Sequence, residues 1–341
     1  MTQKKYNIAV VGATGIVGET LLILLEARNF PIKQLFLLAS EKSAGKTVSF
    51  RDDLYLVEPV DQFDFSKVDI AFFAAGTEVS LHYAPIAAKV GCTVIDKSTA
   101  FRKDEAVPLI VPEVNPEHLP FYHEKKIIAN PNCNTIPVVA AIKPIHDHFT
   151  VSRMNVATYQ SVSGAGKNGI TALAEETANL LNGQPISEIT LGAQIAFNVI
   201  PKIDDFYDNG YTLEEMKIVW ETQKILNDDK ILINPTAVRV PVFFGHSAAV
   251  HLETKEKFDL ADVRLLLQKT PGIIFMGDEA YPTPALDATD NDGIFVGRLR
   301  RDISCENGLN FWVVSDNVRK GAALNAIQIA ELLIKNNFYR H

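Results

Sequence analysis

A chain of 341 residues is longer than one hydrophobic core comfortably supports, so its length predicts two domains. Apolar residues contribute 47% of the chain and charged residues 22%, which is typical of an ordinary globular protein. The net charge of −8 argues against a general nucleic-acid partner or a phospholipid surface. An anionic substrate therefore needs positive groups gathered in one place.

The cysteines and the first residues predict a cellular compartment. Cys92, Cys133 and Cys305 are widely spaced and form no Cys-x-x-Cys pair, which favours a reducing environment. The first residues contain no secretory leader, and no apolar run approaches the roughly 20 residues that cross a bilayer. We therefore expect a cytoplasmic enzyme or binding protein that does not associate with membranes.

The first predicted elements form a strand, a glycine-rich turn and a helix. An apolar strand at 7–11 precedes GATGIVG at 12–18, and the helical run ETLLILLEAR follows. Three glycines at this spacing are a variant of the dinucleotide fingerprint, in which the backbone approaches a pyrophosphate at a helix N-terminus. The alternative is a tight turn between strand and helix that binds nothing.

The loop after the second predicted strand, 34–39, carries charges of both signs. In dinucleotide-binding folds this loop contacts the adenosine ribose, with an acidic residue for NAD or basic groups for NADP. Glu41 suits the ribose hydroxyls, whereas Ser40, Lys42 and Ser43 suit a 2′-phosphate. The pattern favours NADP, and a solvated charged loop is the alternative.

Further strands at 69–76 and 93–98, with a helix at 80–90 between them, predict a doubly wound parallel sheet. The carboxyl ends of such strands line a ligand crevice, so we expect 76–77 and 96–99 to lie there. Arg102 follows closely and is well placed to meet an anion. A surface arginine is the commoner alternative for this residue type.

The segment 125–142 has the sequence KKIIANPNCNTIPVVAAI. It predicts a strand ending at Ala129 and a helix beginning near Ile136, capped by Asn134 or Thr135. Cys133 would then lie at the N-terminus of a helix, where the helix dipole and unpaired N–H groups favour a thiolate with a lowered pKa. The sequence therefore predicts a nucleophile, although a lone cysteine is often only a small buried residue.

After Cys133 the pattern predicts strands and helices in another arrangement. Strands are predicted at 151–162, at 231–253 on both sides of Phe244 and Gly245, and at 309–315, with helices at 169–182, 214–226 and 320–336. Glu214 and Lys217 are three positions apart and therefore share a helix face. The simplest interpretation is an exposed ion pair. His246 begins an apolar strand face, where a satisfied buried side chain is favoured over a catalytic group. His146 and His148 have no third ligand nearby, so we expect no metal site.

Taken together, these motifs resemble the aspartate-β-semialdehyde dehydrogenase family along nearly the whole chain. The resemblance rests on GATGIVG at 12–18, SAGK at 43–46, STAFR at 98–102, NPNCNT at 130–135, YQSVSGAG at 159–166, EEMK at 214–217, RVPVFFGHS at 239–247 and DNVRKGAALNA at 316–326. It implies a Rossmann-type NADP-binding domain at 1–132, completed by a C-terminal helix at 320–341. It also implies an α+β catalytic and dimerisation domain with a mixed sheet at 133–319.

The resemblance also implies catalytic roles. Cys133 matches the nucleophile, His246 matches its acid/base partner, and Gln160 matches the residue that orients the thioester. Arg239 matches the arginine that binds the substrate α-carboxylate through a bidentate contact. Glu214 matches the carboxylate that binds the substrate ammonium. The groups that hold the phosphate match Arg102, Lys217 and Asn132.

The cofactor positions follow the same resemblance, and Glu41 departs from the more basic loop of many members, which weakens the preference for NADP over NAD. The implied cofactor-binding residues are Gly12, Thr14, Gly15, Ile16, Val17, Gly18, Ser40, Lys42, Ser43, Gly76, Ser98, Gly164, Ala165 and Asn317.

The implied reaction is the NADPH-dependent reductive dephosphorylation of L-aspartyl-4-phosphate to L-aspartate-4-semialdehyde through a Cys133 thioester. It belongs to the biosynthesis of lysine, methionine, threonine and diaminopimelate, and the resemblance implies a homodimer or a dimer of dimers. Two alternatives remain open: a reductase that acts on N-acetylglutamyl phosphate, and a non-catalytic nucleotide-binding relative. An acetylated amine has no charge for Glu214 to bind, and a non-catalytic relative would be expected to lose the thiol.

Overall fold

The computed structural model describes residues 4–186, 188–277 and 279–336, and the chain divides into two units. The first unit contains 1–131 and 322–341, and the second contains 132–321. In the part of the chain that the structure describes, no helix is long and apolar enough to cross a membrane.

The elements follow one another in this order. The strands are β1 (Tyr6–Val11), β2 (Ile32–Ala39), β3 (Thr47–Phe50), β4 (Asp53–Pro59), β5 (Ile70–Phe73), β6 (Thr93–Asp96), β7 (Ile127–Ala129), β8 (Val151–Gln160), β9 (Leu232–Arg239), β10 (His246–Thr254), β11 (Ile273–Gly277), β12 (Ile294–Arg301) and β13 (Gly308–Ser315). The helices are α1 (Ile16–Ala27), α2 (Thr77–Lys89), α3 (Thr135–Phe149), α4 (Gly166–Leu181), α5 (Leu213–Leu226), α6 (Leu260–Lys269) and α7 (Leu324–Lys335).

The first unit is built on a seven-stranded sheet in the order β3-β4-β2-β1-β5-β6-β7. All pairs are parallel except β3 with β4. Val10 of the central β1 pairs with Leu37 on one side and Phe72 on the other, and all three are buried, as expected for a parallel sheet covered on both faces. The predicted doubly wound sheet is confirmed, but its strands β3 and β4 were not predicted from the sequence.

Helix α7 belongs to the first unit although it follows the whole second unit in the sequence. Leu324, Ile327 and Ala330 are buried in the same core cluster as β1 and β2. Arg28, the residue that follows α1, donates through two nitrogens to the carboxylate of Glu331 at 2.7 Å each, which joins the end of α1 to α7. The predicted helix at 320–336 is shorter in the structure, because a wider turn at 319–323 precedes it. Residues 337–341 lie outside the described residues.

The second unit is built on a mixed six-stranded sheet in the order β11-β12-β13-β10-β8-β9. β8 runs parallel to β9 and antiparallel to β10. His246, Ala248, Val250 and Leu252 are all buried, which confirms the predicted common face of β10. The predicted strand at 151–162 ends earlier, at Gln160, because a tight turn at 162–165 leads into α4. Helix α6 and strands β11 and β12 were not predicted from the sequence.

Helix α5 is positioned by its N-terminus. Thr212 and Glu215 form a reciprocal capping box, which satisfies two backbone N–H groups at the start of the helix. The Glu215 carboxylate also accepts the N–H of Ala237 in β9 at 2.9 Å. The cap therefore fixes α5 to the sheet and places the neighbouring Glu214 on its buried side.

Candidate active site

Cys133 lies in a tight turn immediately before α3, and its side chain is half-buried. The Asn132 side-chain oxygen accepts the N–H of Asn134 at 2.8 Å and so satisfies the first turn of the helix. Asn134 is the N-cap residue of α3, as predicted, but its side chain makes no capping hydrogen bond. The amide of Asn134 is instead directed towards the Glu214 carboxylate, at 3.2 Å.

Glu214 is the polar centre of the second unit. Its Oε1 accepts side-chain N–H groups from Asn132 at 3.0 Å, from Gln160 at 3.1 Å and from Asn134 at 3.2 Å, and its Oε2 accepts the Lys217 ammonium at 3.0 Å. Burial alone would raise the pKa of Glu214. The charge of Lys217 and the hydrogen bonds outweigh burial and lower the pKa to about 2. Glu214 is therefore ionised at neutral pH although only 5% of it is exposed.

Lys217 also donates to Asp204 at 2.7 Å, so this ammonium lies between two carboxylates. The interpretation of Glu214 and Lys217 as an exposed surface pair is wrong, because their side chains are only 6% and 13% exposed. Packing of α5 against α3 and β9 removes this face from solvent. Burial lowers the pKa of Lys217, but Glu214 and Asp204 reverse the effect and raise it overall.

Three predicted residues meet at one edge of the sheet. Gln160 ends β8, Arg239 ends the parallel β9 as its register partner, and His246 begins the adjacent antiparallel β10. Because parallel strands end at the same edge and an antiparallel neighbour begins there, these side chains share one side of the unit. The topology brings together residues that are as much as 86 positions apart, as the numbering shows.

Arg239 is buried, and its Nη1 donates to the carbonyl of Ser161 at 2.8 Å. Its positive charge interacts with Glu214, with Cys133 and with Asp204. An arginine beside a cysteine stabilises the thiolate over the thiol. The pKa of Cys133 itself stays a prediction.

His246 is 2% exposed, and its two ring nitrogens differ. Nδ1 accepts the backbone N–H of Ser161 at 3.0 Å, whereas Nε2 is buried and has no hydrogen-bond partner among the described residues. Burial, and then the charge of Arg239, lower the pKa of His246 to about 3. The interpretation of His246 as a fully satisfied core histidine therefore holds for only one nitrogen.

Gly164 is approached closely by the same two side chains. A Cβ on Gly164 would lie 2.8 Å from Nη1 of Arg239 and 3.3 Å from Nε2 of His246. Gly164 and Ala165 are exposed. Asn317 is buried, and its side-chain oxygen accepts the N–H of Gly245 at 2.9 Å, so it anchors the residue before His246.

The glycine turn of the first unit fits a dinucleotide. Gly12 has φ +85°, and a Cβ there would lie 2.8 Å from the carbonyl oxygen of Ala74. A Cβ on Gly18 would lie 2.2 Å from the carbonyl oxygen of Gly12, so only glycine permits this approach. Gly15 precedes α1 without any side-chain cap, which leaves the helix N-terminus to a phosphate. The half-buried positions of this turn include Thr14, Ile16 and Val17.

The remaining predicted positions of the first unit lie near strand ends. Ser40 and Lys42 are exposed after β2, and Ser43 closes the turn by donating its N–H to the carbonyl of Ser40 at 2.8 Å. Gly76 is exposed and precedes α2, again without a side-chain cap. The hydroxyl of Ser98 donates to the buried Asp96 at 2.7 Å.

Arg102 is 8% exposed, so the alternative of an ordinary surface arginine is wrong. Its guanidinium donates to the carbonyl of Lys97 in the loop after β6. Packing of this loop, which a sequence pattern does not report, removes Arg102 from solvent.

The described residues contain no group of three or more histidine, cysteine or acidic side chains arranged to hold a metal ion. Both histidines near the end of α3 serve local structure. Nδ1 of His146 accepts the N–H of Val151 at 3.2 Å, and Nδ1 of His148 lies 2.8 Å from the carbonyl of Pro144.

Several residues of this cluster were not predicted from the sequence. Ser161 contacts His246 and Arg239, Asp204 contacts Lys217, and Glu221 accepts the N–H of Asn132 at 2.6 Å. Ser161 lies inside the YQSVSGAG motif at 159–166, so this motif could have predicted it as a site residue. Asp204 and Glu221 carried no local signal, because their partners, Lys217 and Asn132, lie 13 and 89 positions away.

Comparisons with known proteins define the class. A family model described as "Semialdehyde dehydrogenase, NAD binding domain" matches 7–121, and one described as "Semialdehyde dehydrogenase, dimerisation domain" matches 142–320. The chain is thus a two-domain semialdehyde dehydrogenase in architecture.

Similar individual proteins show which family within this class the chain belongs to. An aspartate-semialdehyde dehydrogenase from a Shewanella species is 55% identical over 98% of this chain and 99% of its own length. The structure of aspartate semialdehyde dehydrogenase II from Vibrio cholerae, complexed with ASA, has a TM-score of 0.97 at 55% identity and covers 98% and 99% of the two chains. The Candida albicans enzyme with NADP has a TM-score of 0.78 at 25% identity, covering 98% and 99%. This chain belongs to the aspartate-semialdehyde dehydrogenase family.

Proposed function

We propose that this chain reduces L-aspartyl-4-phosphate to L-aspartate-4-semialdehyde, with release of phosphate, through a thioester on Cys133. The observation that carries the proposal is the charge arrangement of the second unit, where an ionised and buried Glu214 and the Arg239 guanidinium accompany Cys133. A substrate with one ammonium and one carboxylate beside its acyl phosphate complements these two charges.

Cys133 acts as the nucleophile. The charge of Arg239 and the N-terminus of α3 favour its thiolate, which attacks the acyl carbon. Backbone N–H groups of the Cys133 turn stabilise the negative charge that develops on the carbonyl oxygen. His246 is the acid/base that transfers the protons of the reaction. Gln160 orients the thioester from the end of β8.

Arg239 and Glu214 bind the amino-acid end of the substrate. The guanidinium keeps nitrogens besides Nη1 for a bidentate contact with the α-carboxylate. Glu214 provides the negative charge for the ammonium, and the amides of Asn132 and Gln160 hold its carboxylate in place.

Lys217, Arg102 and Asn132 are the proposed phosphate ligands. Lys217 donates to Asp204 and Glu214, so phosphate binding would exchange one of these carboxylates for a phosphate oxygen. Asp204 is the more exposed partner, at 39%, and its contact is the easier one to give up.

The dinucleotide, when bound, supplies the hydride that converts the thioester to the aldehyde level. The turn of Gly12, Gly15 and Gly18 would hold its pyrophosphate, and the loop of Ser40, Lys42 and Ser43 would hold a 2′-phosphate. We assign NADP on this loop. Gly76, Ser98, Gly164, Ala165 and Asn317 complete the proposed contacts.

Assembly and cellular role belong to the same proposal. A homodimer, or a dimer of dimers, formed through the second unit agrees with the dimerisation-domain match at 142–320. The three free cysteines agree with a reducing cytoplasm. In this role the chain serves the biosynthesis of lysine, methionine, threonine and diaminopimelate.

The test is the reverse reaction with purified protein. With L-aspartate-4-semialdehyde and NADP, we expect NADPH to appear only when phosphate is added, and NAD to be the poorer acceptor. N-acetyl-L-glutamate 5-semialdehyde in place of the substrate separates the nearest alternative. Preference for the acetylated aldehyde would reject the substrate, and a folded protein that turns over neither aldehyde would reject catalysis.

A further inference from the structure

Asn134 follows the nucleophilic cysteine and begins α3, yet its side chain does not cap the helix. An asparagine at this position usually accepts an N–H of the first turn. Here the Asn132 side-chain oxygen accepts the N–H of Asn134 at 2.8 Å and closes the turn. The Asn134 amide is therefore available for other contacts, although only 2% of the residue is exposed.

The amide nitrogen of Asn134 contacts two groups. Nδ2 lies 3.8 Å from Sγ of Cys133, within reach of an N–H···S hydrogen bond to the larger sulfur atom, and 3.2 Å from Oε1 of Glu214. An ionised carboxylate only accepts hydrogen bonds, so the nitrogen of the amide, and not its oxygen, faces Glu214. This nitrogen carries two hydrogens, one for each contact.

Helix α5 holds the amide in this position. Oε1 of Glu214 also accepts the side-chain N–H of Asn132 at 3.0 Å, so both neighbours of Cys133 donate to one oxygen. Further along α5, Glu221 accepts the backbone N–H of Asn132 at 2.6 Å. These two carboxylates therefore fix the residues before and after the sulfur.

The charged groups around Cys133 act in opposite directions. Arg239 at the end of β9 interacts with Cys133 and favours the thiolate. The buried and ionised Glu214 disfavours a second negative charge nearby, although Lys217 offsets part of its own. His246 on β10 supplies no positive charge at neutral pH, because burial lowers its pKa to about 3. A donor shared by the thiolate and Glu214 reduces the repulsion between these two anions.

The turn that contains Gly321 also packs against Cys133, since a Cβ on Gly321 would lie 3.0 Å from Cβ of Cys133. The charged residues of this turn are Arg319, which donates to Asp292 at 2.9 Å, and the buried Lys320. These charges are present with and without the amide, so they are common to the wild type and its variants.

We propose that Asn134 is a further catalytic residue, whose side-chain amide donates one N–H to the Cys133 sulfur and the other to Glu214 and so stabilises the thiolate. This inference rests on the proposed function, since it takes Cys133 as the nucleophile. Hydrogen bonds to charged groups are stronger than those to neutral groups, so the amide stabilises the thiolate more than the thiol.

The amide acts whenever the sulfur is negatively charged, and it transfers no proton. His246 takes the thiol proton, and the sulfur keeps the electron pair that forms the C–S bond to the acyl carbon. The carbonyl electron pair moves onto oxygen and returns as the bond from carbon to the phosphate oxygen breaks. Phosphate leaves with the pair from that bond. At aldehyde release the C–S bond breaks, its electron pair returns to sulfur, and the Asn134 N–H again faces a thiolate.

Thr135 provides a matched control on the same turn. It is completely buried, and its hydroxyl has no hydrogen-bond partner among the described residues. Thr135→Val keeps the shape of the side chain and removes only this hydroxyl. Asn134→Leu likewise keeps the approximate shape and removes both N–H groups.

The experiment is the rate of Cys133 alkylation by iodoacetamide as a function of pH. A Cys305→Ser background removes the other half-buried thiol, and Cys92 is completely buried. The thiolate is the reacting form, so the midpoint of the pH profile reports its stability. We expect Asn134→Leu to raise the midpoint by about one pH unit or more, and to react about tenfold more slowly below both midpoints. Above both midpoints this deficit should disappear.

Thr135→Val should keep the wild-type midpoint. An equal rise in this variant would assign the effect to the turn as a whole and overturn the proposal, and so would an unchanged midpoint in folded Asn134→Leu. Asn134→Ala removes the same N–H groups without needing room for a larger side chain, and the same rise is expected. Alkylation requires no turnover, so its outcome is separate from any failure of the proposed function.

Steady-state kinetics of the reverse reaction give a second readout. In Asn134→Leu we expect kcat/KM to fall about tenfold at the acidic end of the pH profile and to recover as the pH rises, because the thiolate then forms without the amide. A deficit that does not depend on pH would show that Asn134 supports only the structure of the turn, which would contradict the proposal.

Discussion

The backbone N–H of Asn132 donates to Oε2 of Glu221 at 2.6 Å, a contact between residues 89 positions apart. Both residues are buried, so helix α5 holds the turn that carries Cys133. We expect Glu221→Ala to lower the free energy of unfolding by about 1–3 kcal/mol, because a buried peptide donor loses its acceptor. Activity falls with it as the turn loosens. Urea unfolding and steady-state kinetics measure the two effects, with Glu221→Gln, which keeps an acceptor oxygen, as the control. Equal effects of both variants would contradict this explanation.

Cys133→Ser separates chemistry from folding. An alcohol at neutral pH is a far poorer nucleophile than a thiolate, so we expect kcat to fall at least about 10³-fold. The circular dichroism spectrum and melting temperature should not change. Cys305→Ser, at another half-buried cysteine, is the control and should keep activity. Activity near that of the wild type in Cys133→Ser would reject the nucleophile.

Arg239→Lys tests the proposed bidentate contact between Arg239 and the substrate α-carboxylate. A lysine ammonium cannot contact both carboxylate oxygens in one plane or reach the Ser161 carbonyl with the same geometry, so kcat/KM should fall about 10- to 100-fold. The control is Arg153→Lys, at an arginine whose side chain is 48% exposed. Unchanged kinetic constants in Arg239→Lys would show that the carboxylate binds elsewhere.

Glu214 gives stability a defined pH dependence. Its pKa is lowered from 4.5 to about 2 in the folded chain, so its ionisation stabilises the fold above about pH 4.5, and this contribution is lost as the pH falls towards 2. Glu214→Gln should lower the free energy of unfolding at neutral pH by an amount on the order of 3 kcal/mol at most, because Lys217 keeps Asp204. The difference from the wild type should shrink on acidification. Urea unfolding at a series of pH values measures it, and a constant difference would contradict the assignment.

Alanine substitutions at two glycines of the first unit distinguish an effect on stability from an effect on cofactor binding. Gly18→Ala places a Cβ 2.2 Å from the carbonyl oxygen of Gly12, so we expect a loss of about 2 kcal/mol or more in stability. Gly76→Ala meets no heavy atom within 4 Å, and its stability should not change. If Gly76 contacts the dinucleotide, NADPH titration will show weaker binding in this variant. Unchanged binding would remove Gly76 from the site.

The missed elements show where local patterns become weak. Strand β4 has apolar residues at four consecutive positions, 54–57, so its sequence lacks the alternation that indicates a half-exposed strand, although the structure leaves Leu54 and Leu56 exposed. Helix α6 follows Asp259, whose side chain accepts the N–H of Ala261 at 3.0 Å, and this cap was a usable signal. The exposure pattern of β4 depends on the strands that become its neighbours in the sheet.

The sequence by itself determined the glycine turn before α1 and the cysteine turn before α3, because both depend on residues within a few positions of each other. It also placed His246 at the start of a buried strand face. Only the tertiary structure decided that Glu214 and Lys217 are buried, that Ser161 holds both His246 and Arg239, and that Glu221 supports Asn132. These contacts join residues 78 to 89 positions apart, except for the short-range pair on α5. Which side chains are buried, and which residues form hydrogen bonds at such separations, depends on which strand ends lie together at one edge of a sheet. A local sequence pattern contains no information about how the strands are arranged.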